Sequence, residues 1–160
     1  MLNLLIIFCA KYLIALPVIA LFSYFLMAPR RIKYRLFWLA FISLPLAYAL
    51  ARLAGHLYYD ARPFVVGNFV PLVAHVADNG FPSDHMLFAS ALAMLGLYFN
   101  RSLGVFLWIV AILIGLSRVG AGVHHFIDIA ASAVIATVAV LIAHFALYYL
   151  RRKPTTRLSD

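Results

Sequence analysis

Charge is scarce in this chain: 11% of its 160 residues are Asp, Glu, Lys or Arg, and five of them are acidic. An ordinary soluble domain carries about a quarter charged residues, so that class is excluded. Cysteine occurs once, as Cys9 within an apolar run, so no intrachain disulfide can brace the fold. There is no Gly/Ser-rich linker, no low-complexity tract and no internal repeat, which reads as a single membrane-embedded domain over residues 1–160. The first apolar stretch lacks a small-residue cleavage site and a second span follows closely. It is therefore expected to stay as a membrane helix rather than be removed as a leader.

What is abundant is apolar sequence, 66% of the chain. The expected architecture is all-α, an integral membrane bundle of about five transmembrane helices. The spans are expected near residues 2–27, 36–58, 83–99, 103–117 and 124–149, with Pro17 kinking the first and Lys11 snorkelling or pairing within the bundle. The net charge of +8 is concentrated in PRRIKYR (29–35), RRKPTTR (151–157) and the lone Arg101. With five spans the termini lie on opposite sides. A cytoplasmic C-terminus puts all three basic positions in the cytoplasm and the N-terminus outside, as the positive-inside tendency requires. Such clusters flanking membrane spans argue against nucleic acid as a partner and for the lipid bilayer.

The loops left outside, residues 59–82 and 118–123, carry most of the remaining polar side chains. Between two uncharged runs stands LSRVGAGVHHFID (116–128), costly in a membrane unless it has a use. The third and fourth spans are short, roughly 22 to 26 Å at 1.5 Å per residue, so the outer site is expected at lipid-headgroup depth.

Three pieces compose that site. In Asp60-Ala61-Arg62-Pro63, the proline biases Arg62 toward an extended backbone. In Pro82-Ser83-Asp84-His85, Ser83 reads as the N-cap of the next helix, whose free N–H groups suit a phosphate, with His85 in the first turn. In Ser117-Arg118 to Asp128, Arg118 offers a planar fork of donors and Gly120 and Gly122 permit a tight turn. His124 and Asp128, four apart, share a helix face, so the carboxylate can fix the imidazole tautomer and leave the other nitrogen free to attack. Each residue alone has a bland reading: an anchoring arginine, a helix cap, a histidine that only hydrogen-bonds. Together they make a phosphate-handling constellation.

RP at Arg62-Pro63, PSDH at Pro82–His85 and SR-x5-H-x3-D at Ser117–Asp128 resemble, in order and spacing, the three signature motifs of the type 2 phosphatidic acid phosphatase family, which includes the vanadium haloperoxidases. The resemblance spans about residues 55–130. It implies His124 as nucleophile forming a phosphohistidine, Asp128 as its orienting partner and His85 as general acid then base. Arg62, Arg118, Ser83, Asp84, Ser117 and Gly122 would surround the phosphate, with no metal or other cofactor required. The family's first motif opens with a lysine seven residues before the arginine of RP. Here that place is Gly55, with Arg52, His56 and Lys11 as possible accessory charges. The second motif usually reads PSGH, and here its third residue is Asp84. PSDH and the small size look most like the bacterial undecaprenyl pyrophosphate phosphatases of the family.

The expected activity is therefore hydrolysis of a lipid phosphate or diphosphate at the outer face of a bacterial cytoplasmic membrane. The preferred substrate is undecaprenyl diphosphate, as in recycling of a cell-wall carrier lipid. Other readings stay open: a phosphatidylglycerophosphate or phosphatidate phosphatase, a lipid phosphotransferase, a zinc or copper site built from His75, His85, His124 and His125, or an inactive scaffold. His125 is expected at the rim, His75 as an ordinary loop histidine, His144 in packing, and Tyr58, Tyr59 and Phe64 in an interfacial belt. Oligomeric state is left open by the sequence.

Overall fold

The computed structural model of the chain describes residues 1–151. Its elements are α1 (Leu2–Lys11), α2 (Ala15–Met27), α3 (Arg30–Leu57), α4 (Pro63–Val66), α5 (Asp84–Phe99), α6 (Arg101–Gly120) and α7 (Phe126–Arg151). Among the described residues no strand forms; a single bridge joins Ala61 and Asn79. The all-α membrane architecture stands. Helices α3, α6 and α7 are each long and apolar enough to cross a membrane, and α1 and α2 qualify as one span bent by 46°. Helix α5 is apolar but has only 16 residues, about 24 Å of rise.

Several boundaries differ from expectation for local reasons. The first span is two helices, not one kinked rod. Pro17 falls in the first turn of α2, where its missing N–H costs nothing, but it has no N–H for the carbonyl of Leu13 and its ring crowds that group. The chain breaks there. Helix α3 starts six residues early because Pro29 serves as N-cap, and so the 29–35 basic cluster is helical. Helix α6 continues to Gly120, so Arg118 stands in its last turn and not in a loop. Helix α7 begins at Phe126, so His124 precedes the helix on which it was placed. Of the C-terminal basic cluster, residues 152–157 lie outside the described residues.

Helix α5 is the hub, with Met86, Leu87, Ala89–Ala93, Leu95 and Gly96 buried against α3, α6 and α7. Lipid tails are as apolar as leucine, so membrane helices associate by close packing through small residues. Gly104 shows how close: a Cβ there would lie 2.1 Å from Leu97 Cα, so any side chain would push α5 and α6 apart. Large apolar side chains such as Phe37, Phe41, Phe106 and Phe145 face outward, as a lipid solvent demands.

The C-terminal ends of α3 and α6 and the N-terminal ends of α5 and α7 meet at one end of the bundle. The 58–83 connection folds over that end. Phe64 N–H donates to Gly122 O at 3.2 Å and Leu72 N–H to Ala121 O at 3.0 Å. Val73 packs with Val123, Ala121 and Ala10 in a small apolar cluster. The turn under it requires Gly122, whose φ of +75° is a left-handed conformation that L side chains rarely adopt.

Candidate active site

A pocket of about 420 Å³ opens at this end. The last turns of α3 supply Arg52, Gly55 and His56; the connection supplies Arg62, His75, Asp78, Asn79 and Phe81; α5 supplies Asp84 and His85; α6 supplies Arg118, and the α6–α7 turn His124.

His124 is 3% exposed and Asp128 0%. The ring Nδ1 and Asp128 Oδ2 lie 3.2 Å apart, so Nδ1 donates and Nε2 is left as the free lone pair. The i,i+4 contact is made without a helix beneath His124. Asp128 sits in the first turn of α7 and its Oδ2 also accepts the N–H of His125 at 2.9 Å, capping the helix start while holding the imidazole. Burial holds the His124 pKa below its usual 6.5, reinforced by Arg118 and Arg62; the Asp128 hydrogen bond works the other way and is outweighed.

Arg118 is 2% exposed. Its guanidinium donates to His75 Nε2 at 2.9 Å and to Ala10 O at 3.4 Å. Its Nε has no partner. Arg62 donates from Nε to Asp78 at 2.7 Å, from NH1 to Val123 O at 2.9 Å and from NH2 to Asn79 O at 3.5 Å. Arg62 keeps the Asp78 carboxyl below its usual range, although burial opposes this. A buried guanidinium without charge compensation is expensive. Arg118 lines the pocket, where an anionic ligand would compensate its charge.

The remaining expected residues divide. His85 and Asp84 line the pocket. Ser83 holds the N-cap position of α5, but its hydroxyl makes no cap bond and is buried without a partner. Ser117 Oγ donates to Ile114 O at 2.7 Å within α6 and does not face the pocket. Gly122 lines a neighbouring hollow with Phe69 and His125. Arg52 and His56 stand at the exposed rim, whereas Lys11 does not reach it. At Gly55 a Cβ would lie 2.9 Å from Phe81 O, so a lysine there would force the Phe81-Pro82 backbone to move.

Asp78 and Asn79 were not singled out in the sequence, and His75, expected as an ordinary loop histidine, lines the pocket. His75 accepts from Arg118 through Nε2 while its Nδ1 lies 3.0 Å from Ala74 O, and its ring meets His124 edge-on at 6.2 Å. Burial holds its pKa below 6.5, with Arg118 adding to the effect. Asp78 positions Arg62. Asn79 accepts from the N–H groups of Asp60 and Phe81 and donates to the carbonyls of Gly55 and Tyr58, all at 2.9–3.0 Å. It ties the end of α3 to the connection. The one available signal was Asp78-Asn79-Gly80, a turn sequence in which a side chain bonds nearby backbone.

The four-histidine metal site does not form. His125 turns away and pairs through Nδ1 with Asp60 Oδ2 at 2.9 Å. The metal-capable group among the described residues is instead Asp60, His125 and Asp128, with ligand atoms within 4.8 Å of one another. Hydrogen bonds already join His125 to each carboxylate.

The PAP2 superfamily model matches residues 36–152. The chain belongs to the PAP2 superfamily. Together with the relatives below, membership makes it a membrane lipid phosphatase, and the buried His–Asp pair and paired arginines suit that chemistry. It is 34% identical over 144 residues to the "Bacitracin transport permease protein BcrC" of Bacillus licheniformis, covering 88% of this chain and 70% of that one. It is 40% identical over 81 residues to "Undecaprenyl-diphosphatase BcrC" of Bacillus subtilis (strain 168), covering 51% and 42%. The crystal structure of Aquifex aeolicus LpxE superposes with a TM-score of 0.72 over 90% of this chain and 86% of that one, at 20% identity, a likeness of fold.

Proposed function

We propose that this chain, as one membrane-embedded domain, hydrolyses a lipid diphosphate, with undecaprenyl diphosphate the preferred substrate, to the lipid monophosphate and inorganic phosphate. The observation that carries the chemistry is His124. Its Nδ1 is committed to Asp128 and its Nε2 is free, in a pocket shared with Arg62, Arg118 and His85. The substrate is supported by the printed name of the Bacillus subtilis relative. A transport reading, suggested by the name of the Bacillus licheniformis relative, leaves the His124–Asp128 pair and the orphaned Arg118 Nε without a use.

In the first step His124 Nε2 attacks the terminal phosphorus. The N–P bond forms, the P–O bond to the lipid breaks, and the leaving oxygen takes the electron pair and a proton from His85. In the second, His85 accepts a proton from water, the water oxygen attacks phosphorus and the N–P bond breaks. Arg62, Arg118 and the first N–H groups of α5 hold the phosphoryl oxygens as negative charge builds. A bound phosphate beside His85 favours its imidazolium, the form the first step uses. No metal takes part in this scheme.

The basic residues Arg30–Arg35 and Arg101 begin α3 and α6, the ends opposite the pocket. With those ends cytoplasmic, the pocket opens at the outer face. Substrate then arrives laterally, as membrane lipid.

Phosphate release from undecaprenyl diphosphate by detergent-purified protein is expected to continue in EDTA and to exceed release from phosphatidate and phosphatidylglycerophosphate. Absence of release, dependence on added metal, or a faster rate on phosphatidate would overturn the reading. The pH profile offers a second check. Unprotonated His124 is the attacking form, so activity disappears as pH falls through its pKa. With that pKa held below 6.5, the acid limb of kcat/KM lies below pH 6.5, and a limb above it contradicts the assignment.

A further inference from the structure

The pocket has a buried wall and an open one. Arg118 and His124 on the buried wall are 2% and 3% exposed. Arg52 and His56 on the open wall are exposed, and their i,i+4 spacing on α3 puts both on the pocket side. Every guanidinium on the buried wall is tied to protein: Arg62 to Asp78 and two carbonyls, Arg118 to His75 and Ala10 O. Arg52 and His56 have no hydrogen-bond or ion-pair partner among the described residues.

Charge sharpens the contrast. Asp78 and Asp84 line the same pocket, and they offset the formal charges of Arg62 and Arg118. A substrate with one phosphate can be held by short charge-assisted bonds to the buried pair. A diphosphate carries a second anionic group, and those four residues leave no net positive charge for it. Arg52 is the one further permanent cation in the pocket lining.

We infer that Arg52 and His56 form a second phosphate subsite, which takes the lipid-linked phosphate of a diphosphate while the terminal phosphate lies against His124. The inference rests on the phosphatase reading above. It follows from where the bonds must lie. Attack on the terminal phosphorus leaves the lipid-linked phosphate between the nucleophile and the membrane, toward the open wall. When the anhydride P–O bond breaks, its electron pair goes to an oxygen of that phosphate, whose negative charge rises beside Arg52. When a lipid monophosphate is cleaved, the leaving group is an alcohol oxygen, and the open wall has no second anion to meet. Arg52 is thus a specificity residue that separates diphosphates from monophosphates.

The test uses the full chain in detergent with two probes that share one tail, farnesyl diphosphate and farnesyl monophosphate. Arg52→Ala is expected to lower the diphosphate-to-monophosphate ratio of kcat/KM about tenfold or more, the scale of one charge-assisted hydrogen bond. Arg52→Lys, which keeps the charge, retains most of the ratio, and His56→Ala lowers it by less than Arg52→Ala. Inorganic pyrophosphate is expected to lose more inhibitory potency than inorganic phosphate in Arg52→Ala. A ratio unchanged in Arg52→Ala, or equal loss on both substrates, overturns the subsite and leaves the phosphatase reading standing. A wild-type protein that cleaves neither lipid overturns both.

Discussion

Turnover by the His124→Ala protein is expected to fall about 10^4-fold or more, because a reaction that runs through a covalent intermediate loses both of its steps with the nucleophile. What remains is the pocket's ability to hold a phosphate and polarise it for direct attack by water. The substitution is informative because it spares the fold. Asp128 Oδ2 keeps its bond from the His125 N–H at 2.9 Å, so the start of α7 stays capped. Val123 stays buried beneath the connection. An unfolding transition within a few degrees of wild type would establish this. A complementary measurement is direct: brief reaction with 32P-labelled lipid diphosphate, then a denaturing quench, should leave alkali-stable, acid-labile label on the wild-type chain and none on the variant. Activity within tenfold of wild type, or label that persists, would refute His124 as nucleophile.

Asp128→Asn is expected to lower kcat by about 10^3- to 10^4-fold with little change in fold, by the logic that applies to any histidine oriented by a buried carboxylate. The carboxylate accepts from two donors, His124 Nδ1 at 3.2 Å and the His125 N–H at 2.9 Å. Both donors meet the one oxygen Oδ2, so an asparagine with its carbonyl oxygen in that place keeps both bonds, and its amide takes the buried, unpartnered place of Oδ1. What is lost is charge: the positive charge that develops on the imidazole when Nε2 bonds to phosphorus loses its counter-charge, in a site where His124 and Asp128 are almost fully shielded from water. The loss should fall on kcat more than on KM, since neither donor pair touches the resting substrate. A nitrogen-15 spectrum of the His124 ring should still show the proton on Nδ1, which separates loss of charge from loss of orientation. An Asp128→Asn protein with near-normal kcat would show that the carboxylate is structural only.

Arg62, Pro82–His85 and Arg118–Asp128 were legible because phosphate chemistry needs particular side-chain types and the family spacing is specific. The apolar helices were legible because a bilayer leaves few other backbone solutions. The interior of the 58–83 connection was not. His75, Asp78 and Asn79 become pocket residues only because the 70–75 stretch docks on the α6–α7 turn, through Leu72 N–H to Ala121 O and Val73 against Val123. No periodicity announces a coil docked on a helix end. Ser83 takes the expected N-cap position without a cap bond, and Ser117 turns inside α6, for a related reason. A serine hydroxyl has several partners within reach, and that of Ser117 takes Ile114 O at 2.7 Å. Which partner it takes is decided by a rotamer.

By itself, then, the order of residues determined the solvent this chain folds in, the apolar segments that become helices, the end of the bundle that carries polar chemistry, and the spacing that pairs His124 with Asp128. Those are properties of composition and local spacing. Tertiary structure alone decided that Arg118 is buried at 2% exposure with an unused Nε, that His75 lies against it, that the Phe81-Pro82 backbone packs on Gly55, and that Arg52 and His56 stand unpaired at the mouth among the described residues. The physical reason is that burial and pairing belong to sets of residues up to 108 positions apart, as in Arg118 and Ala10. Such sets exist only after the helices have packed.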